Sequence, residues 1–398
     1  MVRELSALPY HRVVADLLER ENPRAFAALL PTGATQGSEL DQSLLRSTYR
    51  LDAAAHPEAH AALARAAGAL GLTVPVELYA DENPQRPNAE LVFVASRAIV
   101  VITGPVLELL DDEELCAVFG HELAHHVLWS ADGGRYLAGS RLLDVAEHDA
   151  RTPSEYLETG RRFRLATELY ADRGALLATE RLEPAISGLL KVSTGLRRVD
   201  PAAYLRQAAE VDFVSTASSG TSHPETVLRA WSLQRWHAAG GESVEVEVAR
   251  AVGNDLDLTT LDLPGQDRLR DLTRDLVRQA TLVEQLRAPE VLELAQRYGA
   301  VVAPGPSPLS EISTDDLSHL PSETRRYLCS VLADLATAAD DDDRRHALAA
   351  ALAVGRRKGL GRELLTFLVT ELGLGDPARL ALVGAADALT DPRPEEPR

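Results

Sequence analysis

The stretch FGHELAHH at residues 119–126 places three histidines and one glutamate in an otherwise apolar sequence. At about 100° per residue on a helix, the surrounding hydrophobic residues point in nearly every direction, which is typical of a buried helix. Burying a charge or an imidazole costs several kcal/mol unless a partner compensates it. The stretch therefore predicts an interior helix whose polar side chains share a partner. These side chains are His121, Glu122, His125 and His126.

The spacing of two of these histidines suits a metal ion. His121 and His125 are four residues apart, so both imidazoles project from one face of a helix and can bind one cation. Glu122 is rotated by one residue, which places its carboxylate beside the metal, where a general base for a metal-activated water belongs. The motif alone is only suggestive, because a catalytic zinc also needs a third protein ligand from another buried segment.

A second polar pair on an apolar helical face supplies that ligand. LATELYADRGALL at residues 165–177 carries Glu168 and Asp172 four residues apart, on the face that also holds leucines and alanines. One metal site explains both pairs. Glu168 is then the third ligand, and Asp172 accepts the free N–H of a ligand histidine and fixes its tautomer. The alternative is a carboxylate pair on a solvated helix face.

The order of these motifs resembles that of a known family. HELAH at 121–125 followed by ELYAD at 168–172 is similar to the HExxH and ExxAD pattern of gluzincin metallopeptidases, the HtpX-like and CaaX-prenyl-protease-like proteins. Residues 87–126 resemble that family's Asn-Ala pair, edge strand and acidic start of the metal helix. TSHPETVLRAW at 221–231 resembles its His-Pro motif with a later arginine.

The resemblance implies a fold and a cofactor. The expected fold is α+β and mostly helical: a zincin-like metalloprotease domain with a small sheet and two metal-binding helices, followed by a helical C-terminal region. One Zn²⁺ per chain would be held by His121, His125 and Glu168, and Glu122 would act as the general base. The sequence has no transmembrane segment, unlike the membrane members of the family. The segment between the two metal helices is fairly short, which is similar to the compact soluble members, of the minigluzincin type.

The same resemblance implies roles for residues outside the metal helices. His223 would donate a hydrogen bond to the tetrahedral oxyanion, and Arg229 would order the site. The edge strand, with Asn88 and Ala89, would pair with the backbone of an extended substrate.

Three other histidines have plainer interpretations. His126 points about 100° away from His125 on a helix, which favours packing or a hydrogen bond over metal binding. His148 lies between the two metal helices and is an alternative ligand. His11 has no partner pattern, which indicates a surface or capping residue.

Composition bounds the class of protein. A net charge of −19 argues against nucleic acid or an anionic membrane as the main partner. No stretch of about 18 or more apolar residues occurs, so no transmembrane helix is expected, and we predict a cytoplasmic protein that is not membrane-embedded. Cys116 and Cys329 are far apart in apolar stretches, which predicts two buried free thiols.

Local patterns predict several elements. VPVELYA (74–80) and LVFVASRAIVVIT (91–103) are rich in β-branched residues and separated by turn formers, which predicts a hairpin or a strand pair. Asp111 and Glu114 predict a capping box that begins the metal helix. A second long helix is expected at about 155–179.

A composition shift at residues 240–267 is the main predicted boundary. The predicted organisation is an N-terminal helical segment packed on the protease domain (1–70), the metalloprotease domain (71–240), a linker with helices (241–310), a helical C-terminal domain (311–390) and a disordered tail (391–398).

The resulting functional prediction is a zinc-dependent endopeptidase that acts on protein or peptide substrates. One alternative is a zinc-bound pseudoenzyme or regulatory scaffold, whose helical C-terminal region binds a protein partner. A second alternative is a helical adaptor without metal, in which the HELAH sequence is accidental.

Overall fold

The computed structural model describes residues 5–31, 37–82, 86–213, 217–253 and 256–390. The chain divides into two compact units, Met1–Asn254 with Asp262–Pro264 and Asp255–Leu261 with Gly265–Arg398. The tail predicted at 391–398 lies outside the described residues. None of the helices in the described ranges combines the length and the apolar composition needed to cross a bilayer.

The first unit contains twelve α-helices in its described part and a small sheet. Its helices are α1 (Pro9–Glu21), α2 (Pro23–Leu29), α3 (Gly37–Ser47), α4 (Pro57–Ala69), α5 (Val106–Leu109), α6 (Asp112–Ser130), α7 (Arg135–Glu147), α8 (Ser154–Thr179), α9 (Leu182–Thr194), α10 (Pro201–Ala209), α11 (Thr226–Ala238) and α12 (Glu242–Val252). Its strands are β1 (Thr48–Arg50), β2 (Val76–Asp81), β3 (Asn88–Val94) and β4 (Arg97–Thr103).

The four strands form one sheet in the order β1-β2-β4-β3. β2 runs parallel to β4, whereas β3 pairs antiparallel with β4, with Asn88 opposite Thr103 and Val94 opposite Arg97. Within the described chain, β3 is therefore an edge strand whose outer side is open to a further strand. The apolar residues of β4 that pair with it, such as Val100 and Ile102, are buried.

The strand prediction was confirmed in part: 74–80 and 91–103 do contain a strand pair, β2 with β4, but the hairpin alternative was wrong. The stretch 91–103 is not one strand, because it turns at residues 95–96 and forms a hairpin within itself. The segment 74–80 contributes β2, which pairs in parallel rather than as a hairpin. The turn at Ala95 and Ser96 contains no Gly, Asn or Pro, the residues that mark tight turns in a sequence. β1 also lies within the N-terminal segment that was predicted to be helical.

The start of α6 follows from its first residues, and the predicted capping box is confirmed. The carboxylate of Asp111 accepts hydrogen bonds from the backbone N–H groups of Glu113 and Glu114, at 3.0 and 2.9 Å. In return, the N–H of Asp111 donates to Glu114 Oε2 at 2.9 Å. Lys191 of α9 donates to the same oxygen at 2.6 Å, so the cap also links α6 to α9.

α6 lies between the sheet and α8. Phe119 and Leu123 pack with the inner face of the sheet and α4, while Ala124 and Leu128 join the core shared with α7 and α8. The hydrophobic residues of α6 are thus buried on more than one side, as its sequence predicts.

Two glycines permit a close approach of α6 and α8. A Cβ atom at Gly120 would lie 2.5 Å from Ala178 Cβ and 2.8 Å from the carbonyl oxygen of Gly174. A Cβ atom at Gly174 would lie 2.6 Å from the carbonyl oxygen of Gly120. Only residues without a side chain fit at this crossing. The crossing lies next to His121, so it sets the distance between the polar residues of the two helices.

The second unit is helical in its described part and has its own core. The helices are most of α13 (Leu263–Ala280), α14 (Pro289–Arg297), α15 (Ser322–Thr337), α16 (Arg344–Arg357), α17 (Gly361–Glu371) and α18 (Asp376–Thr390). Fully buried core residues include Leu328, Leu332, Leu335 and Leu352. Cys329 in this unit and Cys116 in the first are buried free thiols, as predicted.

The chain is mostly helical with a small four-stranded sheet, which is consistent with an α+β protease domain. The sequence-based limits of the domains stay predictions. α12 follows the predicted end of the metalloprotease domain at residue 240, and its Val244 and Val248 pack in one core with Leu165 and Leu169 of α8.

Candidate metal centre and substrate cleft

α6 and α8 bring three potential metal ligands together. His121 and His125 project from α6, and Glu168 projects from α8. Ligand atoms of the three residues lie within 4.8 Å of one another, and no other such group of His, Cys, Asp or Glu occurs in the described part of the chain. His121 Nε2 lies 3.6 Å from Glu168 Oε2, and His125 Nε2 lies 3.7 Å from Glu168 Oε1.

This donor set fits a zinc ion. Both nitrogen–oxygen distances are too long for good hydrogen bonds, which are about 2.7–3.2 Å. Ligands at about 2.1 Å from a common tetrahedral ion are about 3.4 Å apart, close to the observed spacing. Two imidazoles and one carboxylate are also a ligand set of catalytic zinc sites. The three residues could therefore hold one ion with little movement.

Asp172 hydrogen-bonds to the candidate ligand His121, and Arg229 in turn hydrogen-bonds to Asp172. His121 Nδ1 donates to Asp172 Oδ1 at 3.1 Å. Arg229 of α11 donates to both oxygens of Asp172, from Nε at 2.9 Å and from Nη2 at 2.6 Å. Nε2 of His121 faces Glu168, and a proton held on Nδ1 by Asp172 leaves Nε2 as the nitrogen that can bind a cation.

The two ligand histidines have opposite pKa shifts. Burial alone would lower the pKa of His121, but the hydrogen bond to Asp172 and the nearby carboxylate of Glu168 outweigh it and raise this pKa to about 10. Burial lowers the pKa of His125 to about 4, against the attraction of Glu168. Burial opposes the ionisation of Glu168, but contacts with His121, His223 and Arg229 hold its pKa well below the usual range. A proton on His121 thus competes with a cation, so metal binding would release it.

Glu122 lies next to this cluster. Its side chain is buried, with 7% of the residue exposed, and it lines the same cleft. Burial raises the pKa of Glu122 to about 7, while the positive charge of His121 opposes the shift. Near neutral pH both the acid and the carboxylate are populated, which suits a group that first accepts and then donates a proton.

His223 reaches the cluster from the loop before α11. Its Nδ1 donates to Glu168 Oε2 at 3.0 Å, yet 64% of its side chain is exposed. The hydrogen bond to Glu168 is the main cause that raises the pKa of His223. Arg229, in the same sequence motif, lies 3.6 Å from the same oxygen of Glu168 through Nη1. Glu168 is thus held by groups from α6 and α11.

All nine site residues predicted from the sequence line one cleft of about 410 Å³. The edge strand β3 contributes Asn88 and Ala89 to one wall, together with Glu90 and Leu91. The wall from α9 was not predicted, because an apolar amphipathic helix gives no sign of which cavity it faces. Its lining residues are Ala185, Leu189, Val192 and Ser193.

The other histidines lie outside the cluster. His126 donates from Nε2 to the carbonyl of Val94 at 3.1 Å, as expected for a non-ligand. His148 is exposed and bonds to the carbonyl of Asp144, so the alternative ligand role is wrong. His11 does cap α1 by accepting the N–H of Leu8, but it is fully buried rather than at the surface. The sequence gives no hint that α7 and α8 cover it.

A His-His-Glu cluster on two crossed helices, with a buried glutamate and an edge strand beside it, is the arrangement expected of a metallopeptidase site. Two comparisons with known proteins agree. Residues 53–131 match the model of Peptidase family M48. Over 200 residues the chain is 30% identical to "Plastoglobule-localized metallopeptidase 48, chloroplastic" of Arabidopsis thaliana, covering 44% of this chain and 56% of that protein.

These similarities support a metallopeptidase, and each covers only part of the chain. The chain spans about half the length of the relative it matches. The family match contains His121, Glu122 and His125 but ends before Glu168 and His223, which join the site through the geometry described above. No solved structure matches the chain. The narrower HtpX-like, minigluzincin-type assignment stays a prediction.

Proposed function

We propose that the protein is a zinc-dependent endopeptidase that hydrolyses peptide bonds with Glu122 as the general base. The observation that carries the proposal is the convergence of His121, His125 and Glu168 within 4.8 Å, beside the buried carboxyl group of Glu122. Without a cation, the two buried helices would hold two imidazoles and a carboxylate at distances too long for good hydrogen bonds.

His121, His125 and Glu168 would hold the ion. When bound, zinc supplies a Lewis acid that polarises a carbonyl group and lowers the pKa of water to about 7. Asp172 keeps His121 in the tautomer that leaves Nε2 free for binding. Arg229 neutralises Asp172, so that this buried carboxylate does not remain an uncompensated charge.

Glu122 would move the proton. Its raised pKa lets it accept a proton from the attacking water and then deliver it to the leaving amine. His223 would stabilise the oxyanion. Nδ1 of His223 donates to Glu168, and this contact raises the pKa of His223, so Nε2 is left to donate to the substrate when it carries a proton.

The substrate would bind as an extended chain. β3 is an edge strand, and its residues Asn88 and Ala89 line the cleft, so a peptide can add to the sheet and pass over Glu122. Main-chain pairing of this kind reads extended conformation more than side-chain identity. The proposed substrates are therefore unfolded or flexible segments of proteins. A cytoplasmic location and the exclusion of nucleic acid as a partner stay predictions.

The Glu122→Gln variant tests the proposal. The amide keeps the shape of the side chain but cannot accept the proton, so cleavage of fluorescein-labelled casein should fall by a factor of about 10² or more while the zinc content stays at one ion per chain. Glu113→Gln, which changes a partly exposed carboxylate on the same helix outside the cleft, is the matched control and should retain the parent rate.

Two outcomes would contradict the proposal. Cleavage by Glu122→Gln at the parent rate would exclude the role of Glu122 as general base. Stoichiometric zinc in a parent chain that cleaves neither casein nor itself, with or without a chelator, would favour the zinc-bound scaffold.

A further inference from the structure

The loop that carries His223 is fastened to α8 at a second point. Arg161 of α8 donates from Nη1 to the carbonyl oxygens of Ser218 and Gly220, at 3.3 and 2.9 Å. Its Nη2 donates to the carbonyl oxygen of Val252, at the end of α12, at 3.2 Å. Glu158 orients the guanidinium through two hydrogen bonds of 2.7 Å each. One side chain thus joins the base of the loop to two helices.

The loop is also tied to itself. The carboxylate of Glu225 accepts hydrogen bonds from the Ser218 hydroxyl at 2.6 Å and from the Ser219 N–H at 2.8 Å. Gly220 packs so tightly on the carbonyl of His223 that an added side chain would collide with it. Residues 218–225 therefore form a compact turn, and the position of His223 depends on where that turn is anchored.

His223 needs this anchor, because its side chain has little support of its own. It is 64% exposed, and its hydrogen bond to Glu168 is its link to the site. Arg161 and Glu168 are seven residues apart on α8, which is about two turns or 10.5 Å along one face. One face of α8 thus holds the turn at two points. Arg161 binds its base, and Glu168 binds His223 at its tip.

We infer that Arg161 is a positioning residue that holds His223 at the candidate catalytic centre. This inference rests on the proposed function, because the consequence of the position is catalytic only if His223 stabilises the oxyanion. Arg161 touches neither the metal ligands nor the cleft, and none of the sequence motifs includes it. Glu158 also accepts a hydrogen bond from Arg162 at 2.6 Å, so loss of Arg161 does not leave this carboxylate without a cationic partner.

The Arg161→Ala variant is the first test. Without the guanidinium, the turn loses its anchor and His223 samples positions away from Glu168. Displacements of about 1 Å at a catalytic group can cost about 10²-fold in rate. We expect kcat on a quenched fluorescent peptide to fall by a factor of about 10 to 10², with KM and zinc content close to those of the parent. Arg161→Lys, which can still donate to the carbonyls, should recover part of this loss.

A double-mutant cycle separates this role from a general loss of stability. In a His223→Ala background, Arg161→Ala should cause no further fall in kcat, because the group it positions is already absent. Arg164→Ala removes an arginine of the same helix that pairs with Glu147 and has no contact with the loop, so it should leave kcat unchanged in both backgrounds.

The outcomes distinguish this inference from the proposed function. If His223→Ala retains the parent kcat, the catalytic role of His223 is wrong. If His223→Ala is impaired but Arg161→Ala is not, or if the two losses add, the positioning role is wrong. Hydrogen–deuterium exchange reports on the loop even without turnover. Residues 217–223 should exchange faster in Arg161→Ala than in Arg164→Ala, and equal exchange would overturn the inference.

Discussion

Replacing Gly174 by alanine tests whether the close crossing of α6 and α8 makes the metal site. The new methyl carbon would lie 2.6 Å from the carbonyl oxygen of Gly120 and would also collide with Ala124. Carbon atoms in ordinary contact lie at about 3.5 Å or more. The two helices must therefore separate by about 1 Å at this point. Overpacking of this kind costs about 1–3 kcal/mol of unfolding free energy.

The separation has a direct effect on the ligand cluster, because Glu168 is on one helix and the two histidines are on the other. An added ~1 Å lengthens the 3.6 Å between His121 Nε2 and Glu168 Oε2 to about 4.6 Å, well beyond the spacing of about 3.4 Å around one zinc ion. Losing only a group that hydrogen-bonds to a metal ligand costs about 10- to 100-fold in metal affinity. We expect at least that loss here.

Zinc affinity measured by competition with a chromophoric chelator, together with thermal unfolding with and without zinc, tests this expectation. A 10- to 100-fold weaker affinity removes about 1.4–2.8 kcal/mol of zinc-dependent stabilisation. Gly68→Ala is the matched control. Gly68 lies within α4 with open space around it, so alanine should be neutral or stabilise by about 0.5–1 kcal/mol. A folded Gly174→Ala chain with the parent's zinc affinity would refute the reasoning.

Two further predictions concern single buried side chains. Asp172→Asn should keep the packing but weaken zinc binding by about 10- to 100-fold, because the amide fixes the His121 tautomer less well. An unchanged zinc affinity in the chelator competition would contradict this prediction. Burial lowers the pKa of His11 to about 3 from an unfolded value of 6.5, so its contribution to stability is present above pH 6.5 and is lost as the pH falls towards 3. In urea unfolding, the free energy of unfolding should fall by up to about 1.4 kcal/mol for each pH unit that the pH drops in this window. His11→Gln should remove that part of the pH dependence. The same slope in both chains would contradict the prediction.

The ligand helices could be predicted because their signals are local. α6 has hydrophobic residues on all sides, a capping box at Asp111 and Glu114, and histidines one turn apart, and each of these features depends on residues within one helix. The second carboxylate pair, Glu168 and Asp172, has the same kind of local signal. A buried helix with unpaired polar groups predicts a partner, and the structure places these groups side by side.

The remainder depends on pairings that sequence patterns do not contain. β2 pairs in parallel with β4, although β3 separates them in the chain, and the turn within 91–103 lacks Gly, Asn and Pro. The wall from α9 and the anchor at Arg161 depend on contacts between residues far apart in sequence. The burial of His11 was not predicted for the same reason, because it comes from α7 and α8 rather than from its own helix.

The most direct measurement of the central claim is an anomalous difference map at the zinc absorption edge from crystals of the purified chain. The account predicts one strong peak per chain, about 2.0–2.2 Å from Nε2 of His121, Nε2 of His125 and a carboxylate oxygen of Glu168. An ion bound at other residues, or no peak at this vertex in crystals grown with zinc, would contradict the claim that one divalent ion joins the two helices.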